Sequence, residues 1–124
     1  PKLRNVDQMS IQKIGEELKS TSQLCRELKI DKKEFFGGSM TISSLGGIGG
    51  THFTPIINPP EVAILGVGRT FDRLVKEKNQ IVSKKILPIS LSYDHRLIDG
   101  AEGARFCVYL GKCLGKDFAF KLAV

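Results

Sequence analysis

The first third of the chain carries apolar residues at helical spacing. From Ile11 to Leu28, apolar or small residues recur in steps of three and four, and Ser10 is placed to cap the first turn. This periodicity predicts an amphipathic helix over residues 11–29. Cys25 lies on the apolar face of that helix, and we interpret it as a small core residue rather than a redox group.

The middle of the chain has the shorter spacing of strands. Residues 40–43 predict a short strand that leads into a loop with four glycines in residues 46–50. The nearly continuous apolar run of residues 61–68 (EVAILGVG) predicts a strand covered on both faces. Residues 89–93 alternate between apolar residues and serine, which predicts a further strand that ends at Asp94.

A second helix is predicted to begin after Asp99. Asp99 and Glu102 have the spacing of a capping box, and one apolar side of the helix can be formed by Ala104, Cys107, Val108 and Leu114. The order of these elements predicts an α/β (α+β) protein with one main mixed sheet and flanking helices.

Length and composition narrow the picture to one soluble domain. The chain has 124 residues, no apolar run long enough for a membrane span and no signal-peptide pattern near Pro1. Its three scattered cysteines argue against a disulfide framework and indicate a reducing compartment. The start at proline suggests that the chain is cut from something longer.

Positive charge is concentrated in one segment. The net charge is +6, and residues 69–85 hold six Lys or Arg against two Asp or Glu. Without interleaved aromatic residues this segment is better explained as a solvated hairpin or loop than as a nucleic-acid site. Attraction of an anionic, phosphate-bearing small molecule is a third interpretation.

Few residues suit catalysis. The histidines, His52 and His95, have no cluster of other ligands at metal-binding spacing, so we expect no metal site. Neither the glycine loop nor residues 66–68 fit a dinucleotide or P-loop motif. His95 follows a buried strand and is flanked by Asp94, Arg96 and Asp99, so it can be a proton acceptor near neutral pH. From spacing alone, a histidine in a charged turn is more often structural or merely exposed than catalytic.

Residues 94–100 form an intact D-H-R-x-x-D-G motif, which resembles the active-site signature of the dihydrolipoamide acyltransferases. These are the core subunits of the 2-oxo acid dehydrogenase complexes. Further segments similar to the same family, in the same order, are residues 41–46 (TISSLG), 49–51 (GGT), 53–56 (FTPI) and 60–67 (PEVAILGV). Within the family the likeness is greatest to the bacterial acetyl-transferring members of pyruvate dehydrogenase complexes.

The resemblance implies a role for four residues. His95 corresponds to the family's catalytic histidine, Asp99 to the motif aspartate and Ser43 to a hydroxyl donor. Phe53 corresponds to an aromatic residue that lines the coenzyme and lipoamide channel. From its position alone, Ser43 is also open to interpretation as a strand serine that bonds local backbone, and Asp99 as an ordinary helix cap.

The resemblance also implies an architecture, which is the C-terminal half of a chloramphenicol-acetyltransferase-like catalytic domain, over residues 1–124. The lipoyl and subunit-binding domains are absent from this chain, and so is the N-terminal half that supplies an arginine partner for the motif aspartate. Implied partners are coenzyme A as substrate, a lipoyl group on a separate domain, and the decarboxylase and dihydrolipoamide dehydrogenase components.

A homotrimer within a larger core is implied as well, with the active site shared between neighbouring subunits. The compartment is then the bacterial cytoplasm, or the mitochondrial matrix of a eukaryote. We expect no metal, nucleic acid or membrane partner. The alternative function is a non-catalytic assembly piece of the same core.

Overall fold

The computed structural model describes residues 1–116 and 118, and the chain divides into two compact units. One unit comprises Pro1–Gly38 and Lys112–Val124, and the other is Ser39–Gly111. In chain order the helices and strands are α1 (Ile11–Arg26), β1 (Thr41–Ser44), β2 (Ala63–Val67), β3 (Phe71–Glu77), β4 (Gln80–Ile86), β5 (Ile89–Tyr93) and α2 (Gly100–Cys113). Short 3-10 turns occupy Val6–Gln8 and Lys32–Phe35.

Helix α1 begins where its cap predicts and ends earlier than its periodicity predicts. The Ser10 hydroxyl accepts a hydrogen bond from the backbone N–H of Lys13 at 3.2 Å. The helix ends at Arg26, and Leu28 adopts a left-handed backbone conformation with φ 55°. The assignment of Leu28 to the apolar helix face is therefore wrong: the side chain has left the helix and is 90% exposed.

The N-terminal segment is tied to the second 3-10 turn. The backbone N–H of Lys2 donates to the carbonyl of Glu34 at 2.9 Å, and the Arg4 guanidinium pairs with the Glu34 carboxylate at 3.2 Å. A cavity of about 270 Å³ lies between this segment, α1 and the turn. None of the site residues expected from the sequence lines this cavity, so it does not bear on their chemistry.

Strand β2 is the centre of a three-stranded sheet with the order β1-β2-β5. It runs parallel to β1 and antiparallel to β5, so the sheet is mixed, as predicted. Ala63, Ile64 and Leu65 are all buried, and because consecutive side chains point to opposite faces, the strand is covered on both. The prediction for this apolar run is confirmed, and β1 lies one residue later than the predicted strand.

The basic segment is a hairpin, as the more ordinary interpretation of its charge predicts. Strands β3 and β4 pair antiparallel through a two-residue turn, Lys78 and Asn79, whose φ values are 43° and 66°. Two positive φ values in succession are typical of the type I′ turn that joins twisted strands. Both acidic residues pair within the hairpin: Asp72 with Lys85 at 2.8 Å, and Glu77 with Lys84.

The glycine loop is fastened to the end of β2. The backbone N–H of Leu45 donates to the carbonyl of Val67 at 3.0 Å, and that of Arg69 donates to the carbonyl of Gly50 at 2.9 Å. Gly50 has φ 85°, in the left-handed region that favours glycine. The loop is therefore an extension of the sheet edge rather than a phosphate cradle.

Helix α2 differs from its prediction in the residue that it buries. The buried residue is Gly103, whereas Val108, on the predicted apolar side, is 59% exposed. The sheet side of the helix is occupied by the ring of Tyr93, so only a residue without a side chain fits there. None of the described helices combines the length and hydropathy needed to cross a membrane.

The closest backbone approach in the sheet gives a stability prediction. A Cβ added at Gly68 would lie 2.0 Å from the carbonyl oxygen of Thr51, whereas one added at Gly47 would meet nothing within 4 Å. We expect Gly68→Ala to lower the free energy of unfolding by about 3 kcal/mol, since backbone must move, and Gly47→Ala to change it little. Chemical denaturation of the two variants measures this, and equal stabilities would contradict the packing described.

Candidate active site

His95 lies in the turn that joins β5 to α2. The backbone N–H of Asp94 donates to the carbonyl of Val62 at 2.8 Å, which continues the sheet one residue past β5. The carbonyl of Asp94 then accepts from the backbone N–H groups of Leu97 and Ile98, both at 3.0 Å. The backbone of the turn is thus anchored to the sheet, and the His95 side chain is exposed at its tip.

The carboxylate beside His95 in the sequence is engaged with arginine. The Nε of Arg96 donates to Oδ1 of Asp94 at 2.9 Å, its Nη2 donates to Oδ2 at 2.6 Å, and its backbone N–H donates to Oδ1 at 3.0 Å. These hydrogen bonds favour the charged carboxylate and lower the pKa of Asp94 from 3.8 to about 2. Asp94 therefore stabilises the turn, and it is not the group that orients the imidazole.

Tyr93 provides the aromatic contact of His95. The two ring centroids are 5.6 Å apart, with 38° between the ring planes. The Tyr93 ring also fills the space that a side chain at Gly103 would occupy, since a Cβ there would lie 2.8 Å from Cε1. From the sequence, Tyr93 is predicted only as part of the strand over residues 89–93, and its contact with the glycine of the facing helix emerges only from the structure.

Asp99 is the N-cap of α2. Its Oδ1 accepts a hydrogen bond from the backbone N–H of Glu102 at 2.7 Å, and its carbonyl accepts from that of Gly103 at 3.1 Å. Four residues after His95, the cap sets where the helix begins and so fixes the second end of the turn. The capping interpretation of Asp99 is confirmed, and its wider role in the site stays a prediction.

Ser43 and Phe53 meet at a glycine of the central strand. Ser43 on β1 is the register partner of Gly66 on β2, and the Phe53 ring covers the same glycine. A Cβ at Gly66 would lie 2.9 Å from Cζ of Phe53. Because register partners point to the same face, Phe53 lies on the face that carries Ser43.

The hydroxyl of Ser43 has no hydrogen-bond partner within residues 1–116 and 118. The interpretation of Ser43 as a strand serine that bonds local backbone is therefore not realised. A partly buried hydroxyl without a local acceptor can donate to a bound group, which is what an oxyanion donor requires.

The structure does not bring Ser43 and His95 together within one chain. Ser43 is level with Ser90 on β5, three residues before Tyr93. At about 3.3 Å per residue and about 4.8 Å per strand spacing, Ser43 and the end of β5 are about 14 Å apart. Tyr93 also points to the opposite face, because it is an odd number of residues from Ser90. The His95 turn follows Tyr93, so Ser43 and His95 lie at opposite ends of the sheet.

No group of three His, Cys, Asp or Glu side chains that could hold a metal ion occurs in the part of the chain that the structure describes. The three cysteines are free and partly buried. His95, Ser43 and Phe53 offer an imidazole, a hydroxyl and an aromatic ring.

Comparison with known proteins identifies close relatives. Residues 1–119 match the family model of the 2-oxoacid dehydrogenases acyltransferase catalytic domain. The chain is 46% identical over 118 residues to the dihydrolipoyllysine-residue acetyltransferase component of the pyruvate dehydrogenase complex of Cupriavidus necator. It is 50% identical over 114 residues to that component of Haemophilus influenzae. These alignments cover 95% and 92% of this chain, but 21% and 20% of the relatives.

Solved structures agree in fold. A dihydrolipoamide acetyltransferase of Azotobacter vinelandii has a TM-score of 0.88 and 46% identity, and the match covers 94% of this chain and 48% of that one. A cubic core of the pyruvate dehydrogenase multienzyme complex has the same TM-score and coverage at 45% identity. The predicted fold class is confirmed.

The study of the Azotobacter enzyme concerns the role of a serine, a histidine and an asparagine in its catalytic mechanism. The serine lies 52 positions before the histidine and the asparagine four after it. Ser43, His95 and Asp99 have the same spacing, with aspartate in place of asparagine. With its D-H-R-x-x-D-G turn, matching fold and matching family model, this chain belongs to the 2-oxoacid dehydrogenase acyltransferase family.

Proposed function

We propose that this chain is the C-terminal half of the catalytic domain of an acyltransferase. Its proposed reaction moves an acetyl group between the thioester of a dihydrolipoyl group and the thiol of coenzyme A. The observation that carries the proposal is the spacing of Ser43, His95 and Asp99, which equals that of the serine, histidine and asparagine studied in the Azotobacter enzyme. The chain itself spans 48% of that protein.

His95 is the proposed general base. A thiol with an ordinary pKa of about 8.5 is mostly protonated at neutral pH, so a neighbouring base is needed to form the thiolate. The imidazole accepts the proton of the coenzyme thiol while the sulfur attacks the thioester carbonyl. When the tetrahedral intermediate collapses, the dihydrolipoyl sulfur leaves and receives that proton back, so the enzyme is unchanged at the end of the cycle.

Ser43 is the proposed donor to the oxyanion. Negative charge develops on the carbonyl oxygen only as the intermediate forms, so a fixed hydroxyl aimed at that oxygen stabilises the transition state more than the ground state. Two features support this role: the hydroxyl has no hydrogen-bond acceptor in the described part of the chain, and Phe53 walls the same sheet face. Phe53 would exclude water and contact the thioester arm.

A complete site then requires two copies of the chain. Ser43 is about 14 Å from Tyr93 at the end of β5, and His95 lies two residues beyond Tyr93 and contacts its ring, so Ser43 and His95 do not meet at one carbonyl within the same chain. A ring of subunits related by rotation brings different surfaces of one protein together, and a trimer of this kind pairs His95 of one copy with Ser43 of the next. The cubic core of a relative is an assembly compatible with such rings.

The remaining partners follow from the reaction. The acyl group arrives on a lipoyl group carried by a separate domain, which a decarboxylase component loads and a dihydrolipoamide dehydrogenase component reoxidises. Coenzyme A is the second substrate. We propose the bacterial cytoplasm as the compartment, or the mitochondrial matrix if the source is a eukaryote.

Mixing two inactive variants tests the proposal in the complete polypeptide. We expect His95→Ala to lose most acetyl transfer and Ser43→Ala to lose about 10²-fold to 10³-fold in kcat, as for loss of an oxyanion donor. When the two are co-expressed equally, about a quarter of the sites in a ring receive an intact His95 and an intact Ser43 from different subunits. Transfer from acetyl-dihydrolipoamide to coenzyme A should recover to that level.

The control is a mixture of Ser43→Ala with the double variant lacking both residues, which contains no intact site and should stay inactive. Absence of recovery in the first mixture would show that the site lies within one chain. Full activity of folded His95→Ala would remove the general-base assignment. A complete, assembled protein without any transfer activity would favour the non-catalytic assembly role.

Asp99 is tested by comparing two substitutions. Asp99→Ala removes the cap and should lower the free energy of unfolding by about 1 kcal/mol. We expect it to lower kcat as well, because the cap fixes one end of the His95 turn. Asp99→Asn keeps a capping oxygen and places asparagine where the Azotobacter enzyme has it, so both quantities should stay near those of the parent. Thermal denaturation and kinetics on the same samples measure this; an unchanged kcat in Asp99→Ala would leave the residue as a cap alone.

The Asp94 and Arg96 pair predicts how the turn responds to acid. Because the pKa of Asp94 is lowered from 3.8 to about 2, its stabilising charge is fully present above about pH 4 and is lost as the pH falls through about 2. The parent should therefore melt at a higher temperature than Asp94→Asn at pH 7, and this difference should shrink between pH 4 and 2. Arg96→Gln removes the other partner of the pair, so the parent should also melt at a higher temperature than this variant at pH 7, and that difference should also shrink between pH 4 and 2. A difference that stays constant down to pH 2 would contradict the pairing.

A further inference from the structure

We propose that Tyr93 is the positioning residue of His95, and that the absence of a side chain at Gly103 holds Tyr93 in place. The inference rests on the proposed role of His95 as base. The Tyr93 ring, which lies between β5 and α2, orients the imidazole by contact, and no carboxylate does so.

No hydrogen bond within the described residues restrains the imidazole of His95. Within the described residues neither ring nitrogen of His95 has a hydrogen-bond partner, and the nearest carboxylate in sequence, Asp94, is engaged with Arg96. An exposed histidine in a turn would otherwise sample several rotamers, each presenting a different nitrogen. If the imidazole is to act as a base in one place, another contact must restrict its rotamers.

The second step is the contact with Tyr93. The ring centroids of Tyr93 and His95 are 5.6 Å apart, within the range of favourable aromatic pairs, and the planes are tilted by 38°. Tyr93 is the last residue of β5, and its backbone pairs with Ala63 on the buried central strand. The wall that His95 meets is therefore fixed to the most buried part of the sheet.

The third step is what fixes the Tyr93 ring itself. A Cβ at Gly103 would lie 2.8 Å from Cε1, 3.1 Å from Cζ and 3.3 Å from Oη of Tyr93, so the ring lies directly against the backbone of α2. Gly103 is buried, and the helix pays for a glycine at this interior position with lower helix propensity. The Tyr93 ring therefore contacts the helix backbone at Gly103 and also the ring of His95.

The fourth step concerns the space beside the imidazole. Nε2 of His95 and Oη of Tyr93 both lie 3.9 Å from the point that a Cβ at Gly100 would occupy. Both atoms therefore lie close to the backbone of Gly100 in the first turn of α2, at ordinary contact distance. Tyr93 and the start of α2 thus border the imidazole together.

Four variants of the complete polypeptide test this. Tyr93→Leu removes the aromatic wall, and Gly103→Ala displaces it without changing Tyr93; each should lower kcat by about 10-fold to 100-fold while the KM for coenzyme A changes less than about twofold. Tyr93→Phe keeps the ring and should retain kcat within about threefold. Gly111→Ala, in the same helix with nothing within 4 Å of its added Cβ, is the control and should match the parent.

Combining the two damaging changes separates positioning from general destabilisation. If Gly103 acts through Tyr93, then Gly103→Ala should lower kcat no further in a Tyr93→Leu background. Losses that multiply would overturn the proposed linkage. Should Tyr93→Leu not assemble, Tyr93→Met and Gly103→Ala carry the same comparison, with the melting temperature measured alongside.

The activity of His95→Ala distinguishes failure of the positioning role of Tyr93 from failure of the general-base role of His95. If His95→Ala is inactive while Tyr93→Leu and Gly103→Ala keep the parental kcat, the positioning role is wrong and the proposed function stands. If folded His95→Ala keeps its activity, the general-base assignment itself fails. If Tyr93→Phe lowers kcat as much as Tyr93→Leu does, the positioning role of the ring is also wrong, because the hydroxyl would then be the important group.

Discussion

The pairing of β2 with a strand on each side is the constraint on which the site depends. The strand is parallel to β1 and antiparallel to β5, and a shift of either register by one residue would move every side chain to the other face. The contact between Gly66 and the Phe53 ring opposes such a shift of β2, because a shift would place a side chain where the ring lies. The positions of Ser43 and of the His95 turn therefore depend on which residue of β2 faces each neighbouring strand.

The sequence predicted the features that depend on local rules. Caps at Ser10 and Asp99, the both-sides-buried strand and the charged hairpin each follow from spacing or from the backbone preference of a few neighbours. The contacts of Tyr93 were not predictable in this way, because Gly103 reads as a weak helix residue until the strand it faces is known. Phe53 was identified from the family resemblance alone, and its contact with Gly66 is seen only in the folded structure.

Much of the apolar surface of the described residues lies open. Ile42 on β1 is 68% exposed and Leu18 on α1 is 53% exposed, although both lie in regular elements whose patterns indicate packing. Exposed apolar surface of this extent is typical of a face that another polypeptide covers. The chain spans 48% of the solved relatives it matches, and in the proposed assembly these faces would be covered by the remainder of the domain and by neighbouring copies.

Glycine has a constructive part in this site. At Gly66 its lack of a side chain admits the Phe53 ring, and at Gly103 it admits Tyr93. Both lie in regular elements, where glycine lowers stability relative to alanine, so each position gives up intrinsic preference for the placement of an aromatic ring. The placement of the Phe53 and Tyr93 rings thus depends on the missing side chains of Gly66 and Gly103 as much as on the rings themselves. In the proposed site, where one copy supplies His95 and the next supplies Ser43, each copy must place its own residue without help from the other.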